Sequence, residues 1–342
     1  MGGGFSLMAL PQWYIEWDQQ YGQKGFLTAS SSASWDTTDK QDLTGMVHLI
    51  TGANAGIGLA TARELARRKA TVHMLCRNQQ KGEDALAQIK SETGNDNVFL
   101  HTVDVSSMTQ VKSFAKDFLG NNHKVDALIN NAGVLPLKRS TTSEGIETCL
   151  ATTIGGTFLL CGLLMPALIR AAPSVVINVS SAGMYTAKTV VSDLQFAKAT
   201  NFDGLLQYAR VKRAQVALSE MWAAKLAGTG VCVHAMHPGY SVTPGTEKLP
   251  GLGDRSDGGF VKQHGSKLRT AEQGADTIVW MCSAPVIRET AGRFWFDRKQ
   301  VRTSMRLAGT ELSSKDKEAL WAQCEQLTGY TFHDSDTQPA EN

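Results

Sequence analysis

Short apolar runs alternate with helix-like segments along most of the chain. Each run is bounded by polar or turn-forming residues, which is typical of buried strands. Seven runs fit this description: MVHLI (46–50), ATVHML (70–75), NVFLHTV (97–103), DALIN (126–130), SVVINV (174–179), VCVHAM (231–236) and GRFWF (292–296). Apolar strands that are separated by helices indicate a parallel sheet covered on both faces. We therefore predict an α/β fold with a seven-stranded parallel sheet and helices on both faces.

The same pattern divides the chain of 342 residues into three parts. Residues 1–44 are an aromatic N-terminal extension that ends in a Ser/Thr-rich linker, TASSSASWDTTDK. Residues 45–300 hold all seven predicted strands and form the main domain. Residues 301–342 contain one predicted helix, LSSKDKEALWAQCEQLTG, with a capping box at Ser313 and Asp316 and a glycine stop. The polar end, HDSDTQPAEN, is expected to be disordered.

The composition excludes several classes of protein. The net charge is +2 with no block of like charges, so we expect no nucleic-acid partner. The six cysteines are scattered without a CxxC pair, which is typical of free thiols in a reducing compartment. No metal site is expected at HAMH, because His234 and His237 lie where a strand runs into a loop. We expect an intracellular protein, since the N-terminus lacks a secretory pattern.

The N-terminus is the one segment for which the sequence allows contact with a membrane. The longest apolar run, FLLCGLLMPALI (158–169), is too short to span a bilayer and contains Pro166. The start, MGGGFS, fits the Gly2/Ser6 pattern of N-myristoylation, but a flexible glycine start is the favoured interpretation. A stripe of aromatic residues at helical spacing either adds a second, weak membrane signal or packs on the main domain: Trp13, Tyr14, Trp17 and Tyr21. The protein is thus expected to be cytoplasmic or peripheral to a membrane.

The segment TGANAGIG, residues 51–58, lies between the first predicted strand and a helix. In this setting glycines can cradle a phosphate at the start of the helix. Gly52 permits the turn, Gly56 lets the backbone approach a pyrophosphate, and Gly58 allows close packing of helix on strand. Asn54 and Ile57 complete the predicted contacts of this loop. An ordinary turn between strand and helix is the alternative.

The second predicted strand ends in Arg77, where a site for NAD places an acid for the ribose hydroxyls. An arginine pairs instead with a 2′-phosphate. Arg77, with Asn78 beside it, therefore favours NADP over NAD. The alternative is a solvated surface charge.

Small, acidic and amide residues follow the third and fourth predicted strands. Such residues either contact a nucleoside or stabilise a turn. They are Asp104 and Val105 in TVDV, and Asn131, Ala132 and Gly133 in INNAGV. Together with the glycine loop they indicate a flat ligand that lies across the carboxyl edge of the sheet.

The fifth strand is followed by a candidate reactive group. Ser180 and Ser181 end the strand, and YARVK places Tyr208 and Lys212 four apart on one helix face. Hydride transfer to a carbonyl needs an acid for the developing alkoxide and a donor that holds its oxygen. A tyrosine titrates near pH 10 on its own, so it needs a neighbouring cation such as Lys212 to act near neutral pH.

These residues together resemble the classical short-chain dehydrogenase/reductase family, from about Met46 to Asp297. The resemblance implies a single domain with a Rossmann-type, doubly wound sheet. It also implies that Tyr208 is catalytic, that Ser181 orients the substrate carbonyl, and that Lys212 holds the nicotinamide ribose and lowers the pKa of the tyrosine. Further segments resemble one group within the family over nearly the whole chain: GNDNVFLHTVDVSS, SDLQ, MHPGYSVTPG, EQGADTIVW and GRFWFDRK.

The resemblance also implies a set of cofactor contacts along the sheet edge. Asp104 is expected near the adenine and the NNAG segment along the nucleoside. The segment HPGYSVT supplies contacts to the carboxamide and the nicotinamide phosphate, namely Pro238, Gly239, Ser241 and Thr243.

One position departs from the family pattern. Where the family has a catalytic Asn, this chain has Thr153 in ATTIGGTF. The family residue acts partly through its main-chain carbonyl, which holds a water of a proton relay to the lysine. A threonine keeps the carbonyl but loses the amide side chain, so reduced rather than abolished activity is expected.

The expected function is NADP-dependent hydride transfer between nicotinamide and the carbonyl or secondary alcohol of an apolar small molecule. The segment from Glu247 to Arg269 is expected to be a mobile substrate lid. A homo-oligomer is expected, because the family dimerises on the helices that carry Phe158–Ile169 and Tyr208. The alternative is a non-catalytic, cofactor-binding structural or assembly subunit with the same fold.

Overall fold

Eight strands form one sheet in the computed structural model, which describes residues 4–121, 124–248 and 258–337. The strands are β1 Val47–Thr51, β2 Thr71–Cys76, β3 Val98–Thr102, β4 Ala127–Asn130, β5 Ser174–Val179, β6 Val231–Met236, β7 Phe294–Phe296 and β8 Lys299–Val301. Their order across the sheet is β3-β2-β1-β4-β5-β6-β7-β8. β1 to β7 run parallel and β8 is antiparallel. The predicted parallel α/β sheet is confirmed.

The predicted strand number is wrong by one. β8 pairs with β7 through a tight turn in which Asp297 and Arg298 both have positive φ, 48° and 58°. Two-residue hairpin turns of this kind usually contain glycine or asparagine, so neither residue signals the turn in the sequence. Ion pairs from distant parts of the chain hold both side chains: Arg269 binds Asp297, and Asp276 binds Arg298.

Thirteen helices of the described residues surround the sheet. They are α1 Ala9–Glu16, α2 Gln23–Ser30, α3 Gly56–Arg67, α4 Gln79–Thr93, α5 Met108–Gly120, α6 Thr148–Leu150, α7 Gly156–Leu163, α8 Met165–Arg170, α9 Gly204–Lys225, α10 Gly259–His264, α11 Ala271–Met281, α12 Pro285–Glu289 and α13 Ser314–Thr328. One apolar core lies between the sheet and α3, α4, α11 and α12. A second core lies on the opposite face, under α5, α7, α8, α9 and α13. The sheet is therefore covered on both sides, as predicted.

The strand order reverses between β1 and β4. In open α/β sheets the loops on either side of such a reversal leave a crevice at the carboxyl ends of the strands. The glycine loop follows β1, and the NNAG segment follows β4, so both flank this crevice.

The N-terminal extension packs on the main domain. A π-helical turn, Trp17–Tyr21, joins α1 to α2, and Tyr21 is buried against Phe296 and His237, with ring centroids 5.5 and 5.0 Å away. This is the second of the two interpretations of the aromatic stripe. Gly2 lies outside the described residues. Within the part of the chain that the structure describes, no helix combines the length and apolar character needed to cross a membrane.

The C-terminal helix has the predicted boundaries. Both hydrogen bonds of the capping box are present at its start, between Ser313 and Asp316, and Gly329 ends it with φ 62°. The segment expected to be disordered begins at His333. Within it, Asp334–Thr337 form a 3₁₀ turn, and Asp336 accepts a hydrogen bond from the Tyr330 hydroxyl at 2.9 Å. Residues 338–342 of that end lie outside the described part.

Candidate active site

One large cavity, of about 1110 Å³, lies at the carboxyl edge of the sheet. With the exception of Thr153, all the predicted site residues line it. They are Gly52, Asn54, Gly56, Ile57, Gly58, Arg77, Asn78, Asp104, Val105, Asn131, Ala132, Gly133, Ser181, Tyr208, Lys212, Pro238, Gly239, Ser241 and Thr243. Residues from the loops after six strands and from α9 thus meet around one space.

The glycine loop has a backbone that side chains do not fit. Gly52 has φ 68° and Gly56 has φ 53°, the left-handed region that favours glycine. A Cβ at Gly58 would lie 2.3 Å from the carbonyl oxygen of Gly52. Ala55 at the N-cap of α3 supplies no capping side chain, so the first N–H groups of that helix are left for a ligand.

Two of the predicted segments hold each other in place. The Asn131 amide donates to the carbonyl oxygen of Thr51 at 2.9 Å, and the N–H of Ala132 donates to Thr51 Oγ1 at the same distance. These bonds tie the end of β4 to the end of β1. The Asn131 side chain therefore fixes the shape of the glycine loop from behind.

Charged residues gather at the end of the cavity beside β2. The Arg77 guanidinium lies 4.0 Å from a carboxylate oxygen of Asp104, and its side chain is 68% exposed. Asn78 caps α4, accepting a hydrogen bond from the N–H of Lys81 at 2.9 Å. Lys81 also lines the cavity and was not predicted. Lys81 could have been predicted from the sequence, because it lies in the first turn of the helix that follows Arg77.

Lys212 is anchored in the wall of the cavity. Its ammonium donates to the carbonyl oxygen of Val179 at 2.7 Å and to Gln215 Oε1 at 3.3 Å. Complete burial lowers the pKa of Lys212 to about 8. The ammonium also lies 5.7 Å from the centre of the Tyr208 ring.

The pKa of Tyr208 moves in the opposite direction from that implied by the resemblance. Burial raises it to about 12, and the neighbouring Cys149 thiol adds to the rise. The hydroxyl of Ser181 lies beside the phenol and partly offsets the shift by hydrogen bonding. At neutral pH the phenol is therefore protonated.

The two adjacent serines have different surroundings. Ser180 is buried and donates to the carbonyl oxygen of Lys212 at 2.9 Å, which fastens α9 to the end of β5. Ser181 lines the cavity and accepts a hydrogen bond from the N–H of Gly183 at 3.1 Å, which orients its hydroxyl. Both serines line the cavity, but the Ser180 hydroxyl is engaged with the carbonyl oxygen of Lys212.

Thr153 is the one predicted site residue that the structure does not place in the cavity lining. Thr153 is fully buried in a π-helical turn, Ala151–Gly155, and does not line the cavity. Its hydroxyl has no hydrogen-bond partner among the described residues. Its main-chain carbonyl accepts a hydrogen bond from the Thr157 hydroxyl at 2.7 Å. The extra residue in the π-helical turn shifts side chains around the helix, and Thr152 faces the cavity instead.

The predicted lid is anchored at its far end. Arg269 is only 1% exposed and forms two bonds with Asp297, at 2.6 and 2.8 Å. Residues 259–264 form α10, and Phe260 within it lines the cavity. Residues 249–257 of the lid segment lie outside the described residues. The expectation of a mobile segment reaching to Arg269 is therefore wrong at that end.

The extension contributes three residues to the cavity that the sequence did not indicate. Phe5, Leu10 and Trp13 line it, together with Tyr240. No local signal identifies them, because their contacts depend on how the extension packs.

Comparisons with known proteins agree with this geometry. A family model described as short chain dehydrogenase matches residues 46–251. Dehydrogenase/reductase SDR family member 12 of Homo sapiens is 39% identical over 317 residues, which cover 92% of this chain and 96% of that protein. Retinol dehydrogenase 12 of Homo sapiens is 37% identical over 288 residues, which cover 83% and 87%. A crystal structure of an uncharacterised protein from Mycobacterium paratuberculosis matches with a TM-score of 0.66 at 28% identity, covering 85% and 96%.

The first of these relatives belongs to the group that the further sequence segments resemble. That resemblance, like the wider one, is confirmed.

Proposed function

The chain belongs to the short-chain dehydrogenase/reductase family, and from this premise we propose an NADP-dependent enzyme that reduces an apolar carbonyl compound or oxidises the matching alcohol. As a member of that family it is an oxidoreductase that uses NAD(P)(H). The observation that carries the proposal is a single cavity that brings the glycine loop together with Ser181, Tyr208 and Lys212.

The glycine loop fits the diphosphate of a dinucleotide. A side chain is excluded at Gly58, and the N–H groups at the start of α3 lack a capping side chain. These are the features by which a helix start holds a phosphate. Bound NADPH supplies the hydride of the reaction.

The choice of NADP rests on two cations. Arg77 and Lys81 line the cavity at the end of β2, where an enzyme that uses NAD has an acid. Arginine forms paired, charge-assisted bonds with phosphate, so these residues favour the extra 2′-phosphate.

In the reducing direction, negative charge develops on the substrate oxygen. The Tyr208 hydroxyl donates its proton to that oxygen, while the Ser181 hydroxyl holds it by a hydrogen bond. The tyrosinate left behind is stabilised by the positive charge of Lys212. Oxidation of an alcohol reverses each of these proton movements.

An apolar substrate is supported by the name of one relative. Retinol dehydrogenase 12 is named for retinol, an apolar alcohol. This chain is similar to that protein over most of its length, so we place its substrate in the same broad class of apolar alcohols and carbonyls.

The test is a titration of the protein's tryptophan fluorescence with NADPH and, separately, with NADH. We expect NADPH to bind about tenfold or more tightly, because a charged hydrogen bond contributes roughly 1.5–3 kcal/mol. Arg77→Glu should remove most of this preference, since it places a carboxylate where the 2′-phosphate binds.

The matched control is Arg139→Glu. This exposed arginine lies away from the cavity and makes one weak hydrogen bond, to the carbonyl oxygen of Gln195 at 3.4 Å. The change of charge is the same, so nonspecific electrostatics affect both variants alike. Equal affinity of the wild type for NADPH and NADH would contradict the preference for NADP. Failure to bind either cofactor would contradict the proposal that the protein is an oxidoreductase.

A further inference from the structure

The apolar end of the cavity is built partly from the N-terminal extension. Phe5, Leu10 and Trp13 line it, opposite Tyr240 and Phe260. The charged lining residues other than Lys212 lie at the other end, and they are Arg77, Lys81, Asp84 and Asp104. The space next to the extension is therefore apolar.

Phe5 brings the extension against the helix that carries Tyr208. It forms a β-bridge with Ala187 and packs on the apolar cluster that contains Leu206 and Ala209 of α9. The next residue fixes this register, because the N–H of Ser6 donates to the carbonyl oxygen of Thr186 at 2.7 Å. The start of the described chain thus packs on the helix that carries Tyr208.

Trp13 brings the extension against the loop after β6. Its ring meets Tyr240 edge to face, with 5.8 Å between the centroids. The N–H of Tyr240 donates to the carbonyl oxygen of Tyr21 at 2.8 Å. The same loop contains Gly239, where a Cβ would lie 2.6 Å from that carbonyl oxygen. The extension and this loop are therefore fitted to each other.

A buried arginine fastens the extension to the domain. The Arg269 guanidinium donates to the carbonyl oxygens of Gln20 and Tyr21, at 2.8 and 3.0 Å, and also binds Asp297 through two bonds. Because the guanidinium is buried, separating the extension would deprive it of two carbonyl acceptors, while its pairing with Asp297 would remain. The wall formed by the extension is consequently part of the folded domain.

We propose that residues 5–13 form the substrate-selecting wall of the active site, and that the wall accepts an uncharged carbonyl compound with a bulky apolar body. This inference rests on the proposed function. Leu10 and Trp13 contact the body of the substrate, while Tyr208 and Ser181 act on its carbonyl group. Selection by size follows, because an apolar pocket discriminates between substrates by the apolar volume that it encloses.

The experiment compares 2-naphthaldehyde with propanal as bulky and small probes, at saturating NADPH. Trp13→Ala should lower kcat/KM for 2-naphthaldehyde about tenfold or more and change that for propanal by less than about twofold. The affinity for NADPH should stay the same. The matched control is Tyr14→Ala on the same helix, because Tyr14 is 55% exposed and does not line the cavity.

A second variant guards against loss of folding. Leu10→Trp fills the cavity instead of opening it, and it should exclude 2-naphthaldehyde while propanal is still reduced. Thermal unfolding verifies that both variants are folded. Equal effects of Trp13→Ala and Tyr14→Ala, or equal losses for the two aldehydes, would overturn the proposal.

Failure of the proposed function can be distinguished from failure of the wall. Binding of the alcohol 2-naphthalenemethanol, measured by calorimetry, does not depend on turnover. If the wild type binds this alcohol but reduces neither aldehyde, the proposed function fails, and a tenfold loss of binding in Trp13→Ala still supports the wall. If the folded wild type does not bind the alcohol, the proposal that residues 5–13 form a substrate-selecting wall is overturned.

Discussion

Lys212 is held where a positive charge is costly. Its ammonium is fully buried, and the carbonyl oxygen of Val179 and the amide of Gln215 are its bonded neighbours. Burial brings its pKa down to about 8, whereas burial brings the pKa of Tyr208 up to about 12. Near neutral pH both side chains are thus protonated. Lys212 loses its proton as the pH rises through about 8, whereas Tyr208 keeps its own.

This arrangement predicts the pH dependence of carbonyl reduction. Below pH 8 Lys212 carries its charge and stabilises the tyrosinate that forms when Tyr208 gives up its proton. As the pH rises through about 8 the charge is lost, so kcat/KM should fall, while Tyr208 remains protonated up to about pH 12. Initial rates between pH 6 and 10, with NADPH saturating, measure this decrease of kcat/KM at alkaline pH.

Lys212→Arg is the control for this assignment. A guanidinium stays charged throughout that range, so the decrease near pH 8 should disappear, whatever the absolute rate of the variant. If kcat/KM of the wild type stays constant up to pH 10, or if the decrease near pH 8 persists in Lys212→Arg, another group controls the rate.

At the scale of elements, the hairpin of β7 and β8 and the extension depend on the same ion pair. Asp297 occupies the hairpin turn with positive φ, and Arg269 joins it to the carbonyl oxygens of the extension. A nearby pair, Lys267 with Asp18, also links the extension to the domain, but its side chains are 60% and 62% exposed. The two pairs offer a direct comparison of buried and exposed charges.

We expect Asp297→Ala to lower the free energy of unfolding by about 3–5 kcal/mol, because it leaves the Arg269 charge buried and unpaired. Asp18→Ala should cost less than about 1 kcal/mol, since solvent screens an exposed pair. Urea denaturation measures both values. Limited proteolysis should cut the extension faster in Asp297→Ala only, and equal losses in the two variants would contradict a role for the buried pair.

The sequence predicted the elements whose cause is local. The seven parallel strands are apolar runs, and the glycine loop shows its backbone requirements in its own residues. The eighth strand was missed because its turn is stabilised by Arg269 and Asp276, which lie at a distance along the chain. The wall residues were missed for the same reason, since Phe5 meets Ala187 only after the domain has formed. The burial of Thr153 was not foreseen, because the π-helical turn that contains it changes the register of a helix without a clear sign in the sequence.

At the scale of the whole molecule, the chain covers the two helices on which a family-type dimer was expected. In α7, all residues from Gly156 to Gly162 are buried. The ring of Trp321, on α13, lies 4.9 Å from Phe158 on α7 and 4.7 Å from Trp222 on α9. A Cβ at Gly162 would lie 2.3 Å from the Tyr330 ring. The C-terminal helix and the residues after it therefore occupy the expected interface.

We accordingly expect the 342-residue chain to be a monomer, with a mass of 36.9 kDa by light scattering after gel filtration. A chain that ends at Leu312 lacks α13 and exposes Phe158 and Trp222, so it should self-associate or aggregate. A dimer mass for the 342-residue chain at micromolar concentration would contradict the prediction that α13 covers the dimer-forming face.

The hydrogen bonds from Arg269 to the extension also affect how the protein folds during synthesis. The Tyr21 carbonyl and its partner Arg269 are 248 residues apart in the chain, and the extension is synthesised first. At roughly 5–20 residues per second, the ribosome needs on the order of ten to fifty seconds to deliver the arginine. Throughout that interval Trp13, Trp17 and Tyr21 have no domain on which to pack, so the nascent chain presents an aromatic segment that chaperones recognise. The cavity is complete only when the extension and the segment around Arg269 have met.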